Sequence, residues 1–389
     1  MTRSKPTIVD LFCGCGGFSL GAELAGFRSL VAIDIDPTLQ SGFAKNFPLS
    51  KPIEGNVAEI GLADWSLLIG KARPDGIIGG PPCQGFSRIG KRRKEDPRNT
   101  LIHHFYRHIN LLQPKFFVME NVEGLLDDEN IGVLMSAIET VSDTYTIIGP
   151  FVVNAADFGA ATNRYRTVIV GYNPNEIDAL EQSSFDGVVL AKSATVRDAI
   201  SDLPNPIAMD PKDKTNLGWA AYPAATSRTL SQYARGLRRA PPQGLGWKEA
   251  RERQKAGFVS GMFETVHSPV VATRYAETLG GKCDPISKSH RLQWGGQCTT
   301  LRAGTGSDKG SFQAVRPLHP AEGRVITVRE AARMQAFPDW FIFHPTKWHS
   351  FRMIGNSVSP SVSYRILSTI FESLGYITED GAPVIQYAA

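Results

Sequence analysis

The segment Gly79-Gly-Pro-Pro-Cys-Gln-Gly-Phe-Ser87 carries the side chain best suited to covalent chemistry, Cys83. Two consecutive prolines stiffen the backbone leading into it, and the glycines around it let a thiol be held exposed on a turn. A cysteine attacks as its thiolate, which needs nearby positive charge or a helix N-terminus. Residues 88 to 98 hold six basic side chains (Arg88, Lys91, Arg92, Arg93, Lys94 and Arg98) against two acidic ones, Glu95 and Asp96. Arg164 and Arg166 are further sources of charge. The competing reading of any cysteine is an inert core thiol, and the stiff turn argues against it here. The chain has five cysteines, an odd and sparse set without the spacing of a disulfide framework or a zinc site.

A second constellation is Asp10-Leu-Phe-Cys-Gly-Cys-Gly-Gly-Phe-Ser-Leu-Gly21. Glycines there allow close approach of backbone to a ligand, and a helix N-terminus behind them favours an anionic group such as a carboxylate. The alternatives are a plain tight turn or a nicotinamide site. The dinucleotide spacing fails, because Ser19 stands where its third glycine would be. Asp34 is placed to bind the hydroxyls of a ribose.

These residues need a scaffold, and the chain supplies an alternating one. Thr7 to Phe12, Leu30 to Ile33, Gly76 to Ile78, Phe116 to Met119, Thr146 to Val153 and Thr167 to Val170 read as strands, and Leu20 to Ala25 as the first helix. Strands alternating with helices predict an α/β fold, a mostly parallel sheet covered on both faces. Asp10, Asp34, Cys83 and Glu120 each follow a strand, so they should line one edge of the sheet, where such folds bind ligands. From about Pro204 to Pro320 the chain turns rich in Gly, Pro, Ser, Thr and Arg and loses periodicity. Residues 1–203 plus 321–389 are therefore expected to form one domain and residues 204–320 a second, irregular one. Thr327 and Glu330 predict a capping box, and Val362 to Leu374 a closing amphipathic helix.

The bulk numbers set bounds. The 389 residues are 42% hydrophobic with a net charge of +4, enough for a large core and weak evidence for a polyanionic partner. Local charge says more: beside the run near Cys83 lies a second one, Arg235, Arg238, Arg239, Lys248, Arg251, Arg253 and Lys255, read either as a DNA face or as solvated surface. No signal peptide or membrane-spanning run is seen, which leads us to expect a reduced, cytoplasmic protein.

Taken together, the segments resemble the DNA cytosine-5 methyltransferase family, in its prokaryotic form. The resemblance rests on Asp10 to Gly21, Asp34, Gly79 to Ser87, Asp96-Pro-Arg-Asn-Thr-Leu101, Glu120-Asn121-Val122, Asn163-Arg-Tyr-Arg166, Thr327 to Pro338 and Gly355-Asn-Ser-Val358, in the family's order. It implies the S-adenosylmethionine-dependent methyltransferase fold, with residues 204–320 as the target-recognition domain. It also implies methyl transfer to carbon 5 of cytosine in double-stranded DNA, by base flipping.

By that resemblance Cys83 attacks carbon 6, Glu120 binds ring nitrogen 3 and the exocyclic amine, Arg166 holds the carbonyl oxygen and Arg164 supports Glu120. A structural salt bridge is the alternative for both arginines. The cofactor would lie against Asp10, Phe12, Gly14, Gly16, Gly17, Asp34 and Ile35, with Asn56 and Val57 at the adenine. Pro82, Thr100, Leu101, Asn356 and Ser357 would complete the pocket, with no metal. DNA would meet Ser87, Arg88, Lys91, Arg92, Arg93, Arg98 and Thr300, the last in a Thr300-Leu301 pair typical of the recognition domain.

Three positions depart from the family pattern. Asn56 stands where Asp is usual, Ala161-Thr162 where Pro-Gln is usual, and Asp34 where Glu is common. Weaker cofactor binding is expected from Asn56. The rival readings are a transfer-RNA methyltransferase of the same family and a catalytically inactive DNA-binding relative. The short lead before the first motif suggests a bacterial or phage enzyme, either the modification half of a restriction or defence system or a solitary one, with a monomer as the default.

Overall fold

The computed structural model describes residues 4–82, 100–186, 193–210, 212–213, 215–223, 230–303 and 316–377. Its centre is a seven-stranded sheet in the order β3-β2-β1-β4-β5-β8-β6. The strands are β1 Thr7–Leu11, β2 Arg28–Asp34, β3 Lys51–Glu54, β4 Gly76–Gly79, β5 Phe116–Asn121, β6 Thr146–Asn154 and β8 Tyr165–Tyr172; β7, Thr162–Asn163, lies apart. Every pairing in the sheet is parallel except those of β8, which runs antiparallel to both β5 and β6. The expected mostly parallel sheet is thus present.

The strands form here because both faces are buried. Successive residues alternate between two apolar layers. Ile8, Ile78, Phe116 and Val118 join one layer with Phe18, Leu20, Ile366 and Ile370. Val9, Ile77, Phe117 and Met119 join the other with Trp65, Ile102, Phe105 and Leu134. β3 was not anticipated. Lys51-Pro-Ile-Glu54 is a half-exposed edge strand containing a proline, so it carries no buried apolar run to read.

Strand order reverses around β1, which has β2 on one side and β4 on the other. Such a switch point opens a crevice at the carboxyl edge. The antiparallel sense of β8 matters equally. Glu120 faces Val168 and Asn121 faces Thr167, so the start of β8, with Arg166, lies at the same edge as the end of β5.

The C-terminal segment closes the structure. The helix Val328–Met334 begins with the expected box: Thr327 Oγ1 accepts from Glu330 N at 3.2 Å, and Glu330 Oε2 accepts from Thr327 N at 2.6 Å. The last helix spans Pro360–Ser373, starting earlier than its apolar periodicity suggests because Pro360 opens its first turn. It packs tightly on the first helix, Gly17–Ala25, where a Cβ on Gly21 would come within 2.3 Å of Ser363 Oγ.

Among the described residues of 204–320 there is little regular structure. Strands of two residues pair Ala220–Ala221 with Phe258–Val259, and Cys298–Thr299 with β7. The helices Gln232–Leu237, Lys248–Lys255 and Pro269–Glu277 also occur there; their short, polar sequences gave no clear periodicity.

Candidate active site

The turn after β1 is built by unusual backbone. Phe12 has φ 64° and Gly14 has φ 53°, both left-handed. A Cβ on Gly14 would meet nothing within 4 Å, so this turn borders open space. Gly16 and Gly17 serve packing. A Cβ on Gly16 would lie 2.4 Å from the Phe47 ring, and one on Gly17 would lie 1.9 Å from Ser357 Oγ. Asp34, nearly buried at the tip of β2, accepts from Gly14 N at 2.8 Å and from Asp36 N at 2.8 Å, which ties the turn to the second strand. Beside it Ile35 is 65% exposed, an apolar side chain left uncovered at the crevice.

Asp10 is fully buried and accepts from Ser19 Oγ at 2.5 Å through Oδ2, while its Oδ1 has no partner. Burial pushes its pKa up to about 7, partly offset by Ser19 and reinforced by Asp34. A buried carboxyl oxygen left unpartnered next to a glycine turn that borders open space suits a ligand bearing a cationic group. The residues present therefore fit a ligand that brings an amino group to this turn.

Asn56 closes its own turn. Its Oδ1 accepts from Ala58 N at 3.0 Å and its Nδ2 donates to Glu59 Oε1 at 2.8 Å. Val57 is buried. Pro82 and Leu101 are half-buried, Thr100 and Asn356 are exposed, and Ser357 is buried.

At the end of β5, Glu120 is 7% exposed and pairs with Arg166, Nε to Oε1 at 2.9 Å. The neighbouring Asn121 donates from Nδ2 to Pro81 O at 3.1 Å, joining the strand tip to the proline lead-in. A Cβ on Gly80 would sit 3.2 Å from Glu120 Oε2, so the lead-in passes directly over the carboxylate. Cys83, Ser87, Arg88, Lys91, Arg92, Arg93 and Arg98 lie outside the described residues.

Arg166 makes the direct contact with Glu120, and Arg164 acts on that carboxylate through charge alone. Arg164 is buried, donating from Nη2 to Ser357 O at 2.7 Å and more loosely from Nη1 to Leu301 O at 3.4 Å. Burial pushes its pKa down, as does Arg166, while Glu120 opposes the shift. Arg164 thus fastens residue 301 of the irregular segment to the Gly355-Asn-Ser-Val358 motif.

Thr162 has a similar fastening part. Its hydroxyl donates to Cys298 O at 3.0 Å, and Cys298 N donates to Ala161 O at 2.9 Å. Thr300 Oγ1 donates to Asn163 O at 2.8 Å, so this hydroxyl is engaged within the protein. In the second basic run, Arg238 pairs with Asp202 at 2.5 Å and stacks 3.6 Å over the Tyr222 ring. Arg253 pairs with Glu249 at 3.1 Å. Both side chains thus have partners within the protein.

Sequence reasoning missed Asn121, although its motif was in view, because only Glu120 has obvious chemistry. It also missed Asn154, whose Oδ1 accepts from Arg164 N at 3.0 Å, a contact between residues ten apart that only strand register creates. Among the described residues no group of three or more His, Cys, Asp or Glu side chains could hold a metal ion. Among them no helix is long and apolar enough to cross a membrane.

The family model for C-5 cytosine-specific DNA methylase matches residues 6–372. The chain is 37% identical over 376 residues to the type II methyltransferase M.XorII of Xanthomonas oryzae pv. oryzae, covering 95% of this chain and 86% of that one. It is 31% identical over 376 residues to M1.HphI of Haemophilus parahaemolyticus, covering 94% and 87%. Among solved structures, a DNA modification methyltransferase encoded within an E. coli prophage superposes with a TM-score of 0.84 at 38% identity, covering 95% of this chain and 100% of that one.

Proposed function

The chain belongs to the C-5 cytosine-specific DNA methylase family and is a DNA cytosine-5 methyltransferase, and we propose that it uses Cys83 as a covalent nucleophile on a cytosine flipped out of duplex DNA. The observation that carries this reading is the Glu120–Arg166 pair at 2.9 Å, held beneath the proline lead-in to Cys83.

Residues 1–203 plus 321–389 would form the catalytic domain and residues 204–320 the target-recognition domain. The target atom is inaccessible in a stacked duplex, so the base must leave the helix. The Cys83 thiolate adds to carbon 6, forming an S–C bond and pushing electron density to carbon 5. Glu120 shares a proton with ring nitrogen 3 and accepts from the exocyclic amine, drawing that density through the ring. Arg166 fixes the carboxylate and reaches the base's carbonyl oxygen. Once carbon 5 carries the methyl group, loss of its proton to base restores the double bond, and the sulfur leaves as thiolate.

S-adenosylmethionine would supply an electrophilic methyl on a sulfonium. Asp10, Phe12, Gly14, Asp34 and Ile35 would hold it along β1 and β2, Gly16 and Gly17 through their backbone, and Asn56 and Val57 at the adenine. Pro82, Thr100, Leu101, Asn356 and Ser357 would close the pocket. Ser87, Arg88, Lys91, Arg92, Arg93 and Arg98 would grip phosphates, which positions without specifying sequence. Type II relatives support a place in a bacterial restriction-modification system; a monomer acting in the cytoplasm is the state that goes with this reading.

Whole-genome bisulfite sequencing of a methylation-deficient host expressing the chain tests this directly. Protected cytosines in one short motif, absent with Cys83→Ala, are the expected result. Protection that persists in Cys83→Ala would remove the covalent mechanism.

A further inference from the structure

Two adjacent side chains of the helix Leu101–Leu112 grasp the turn that follows Asn56. Arg107 donates from Nη2 to Val57 O at 3.0 Å and to Ala58 O at 3.2 Å, and from Nη1 to Ile60 O at 2.9 Å. His108 lies 2.8 Å from Val57 O through Nε2. Its other nitrogen, Nδ1, accepts from the Trp65 indole Nε1 at 2.9 Å. An indole N–H can only donate, so Nδ1 must be the bare nitrogen and Nε2 must carry the proton. The imidazole is therefore a neutral ring with both nitrogens engaged, fully buried, and set edge-on to Trp65 at 82°. Arg107 nearby and the lack of solvent both oppose a second proton.

Three successive features now share one support. The carbonyls of residues 57, 58 and 60 are gathered by one helix turn. That helix opens at Leu101, next to Thr100. Trp65, from the helix Leu62–Ile69, closes the far side. We propose that His108 is a positioning residue for cofactor recognition. With Arg107 and Trp65 it sets the orientation of the Asn56–Val57 turn and locks it to the helix bearing Leu101. The proposal rests on the reading of Asn56 and Val57 as adenine contacts. A turn that meets adenine must hold its polar groups in place before the ligand arrives, since ordering them on binding weakens affinity. Asn56 is engaged with Ala58 and Glu59, so the direction of the turn as a whole decides what it offers.

The test uses the full-length protein and its variants His108→Leu, His108→Gln and Trp65→Phe. Calorimetry gives dissociation constants for S-adenosylhomocysteine and for its deaminated, inosine-containing analogue. Steady-state assays on a duplex containing the methylated motif give kcat and the KM for S-adenosylmethionine. The wild type should prefer the adenosyl compound. His108→Leu leaves the buried Trp65 N–H without its acceptor and Val57 O with Arg107 as its remaining donor, and should raise this KM about tenfold while shrinking the preference. Its kcat should stay within about twofold, the mark of lost ground-state binding. His108→Gln, which keeps a donor toward Val57 O, should recover most of the loss.

Wild-type KM and preference in His108→Leu would overturn the proposal. So would equal weakening toward both compounds, which marks general loosening. Equal binding of the two compounds by the wild type would instead sink the adenine reading of Asn56 and Val57. If His108→Leu does not fold, Trp65→Phe carries the test, because it removes the donor to Nδ1 while keeping an aromatic ring in the core.

Discussion

Glu120 and Arg166 meet at 2.9 Å because β8 runs antiparallel beside β5, bringing the start of one strand to the end of the other. Were β8 parallel, the arginine would sit at the opposite edge of the sheet. The pair gives the carboxylate a fixed orientation in a nearly closed site, and with Nη1 donating to Tyr165 O at 2.6 Å it is Nη2 that would be offered to a base. Arg166→Ala should lower single-turnover methylation about a hundredfold or more, with duplex binding retained. Glu120→Gln should do the same. The double variant should cost little more than either alone, because the two groups act as one unit. Additive losses would separate them.

Asn121 acts one step back from the chemistry. Its hydrogen bond to Pro81 O holds the lead-in to Cys83 against the tip of β5. Asn121→Ala should lower kcat about tenfold, since small errors in placing a nucleophile are expensive. The dissociation constant for DNA should not move. An unchanged kcat would mean that Pro81 and Pro82 hold the turn without help.

How far the sequence revealed this site depends on what each residue needs. The strands of the sheet other than β3 were legible because burial at the centre of the sheet demands continuous apolar runs. The turn from Asp10 to Gly21 was legible because backbone with φ 53° at Gly14 and 93° at Gly16 demands glycine. What those glycines face was not, since the Phe47 ring over Gly16 and Ser357 over Gly17 arrive from distant parts of the chain. Arg164 and Arg166 are two apart on one motif, and sequence cannot tell which reaches Glu120. Register decides that. His108 was invisible for a similar reason: a histidine in an amphipathic helix reads as surface until Trp65 and Val57 are folded against it.

A buried ion cluster joins the irregular segment to the rest. Arg333 donates to Asp339 at 2.8 and 2.7 Å and to Asp202 Oδ1 at 2.6 Å, and Tyr222 donates its hydroxyl to Asp339. Arg333 and Asp339 are fully buried. Asp339→Ala takes one of the two carboxylates from Arg333 and leaves it with Asp202 away from water, so it should destabilise the protein by up to about 3–5 kcal/mol. Tyr222→Phe leaves the ion pair intact and should cost less, about 1.5–3 kcal/mol for a hydrogen bond to a charged acceptor. Denaturant midpoints for the two variants measure the difference, and equal losses would show that the hydroxyl, not the charge, matters most.

Asp10 makes a prediction with a definite sign. Burial raises its pKa from 3.8 to about 7, so in the free protein the carboxyl is largely neutral at pH 6 and largely ionised at pH 8. The stability it contributes is full below pH 3.8 and is lost as pH rises from there through about 7, because the unfolded carboxyl ionises while the buried one still holds its proton. Asp10→Asn cannot ionise, and Asn can still accept from Ser19. Its midpoint relative to the wild type should therefore climb between pH 5 and pH 8. A cation brought against the free Oδ1 reverses the preference and favours the ionised form. Affinity for S-adenosylmethionine should accordingly tighten as pH rises through about 7 and level off above it, and this slope should vanish in Asp10→Asn. Parallel pH profiles for the two proteins would mean that Oδ1 does not face the cofactor's charge.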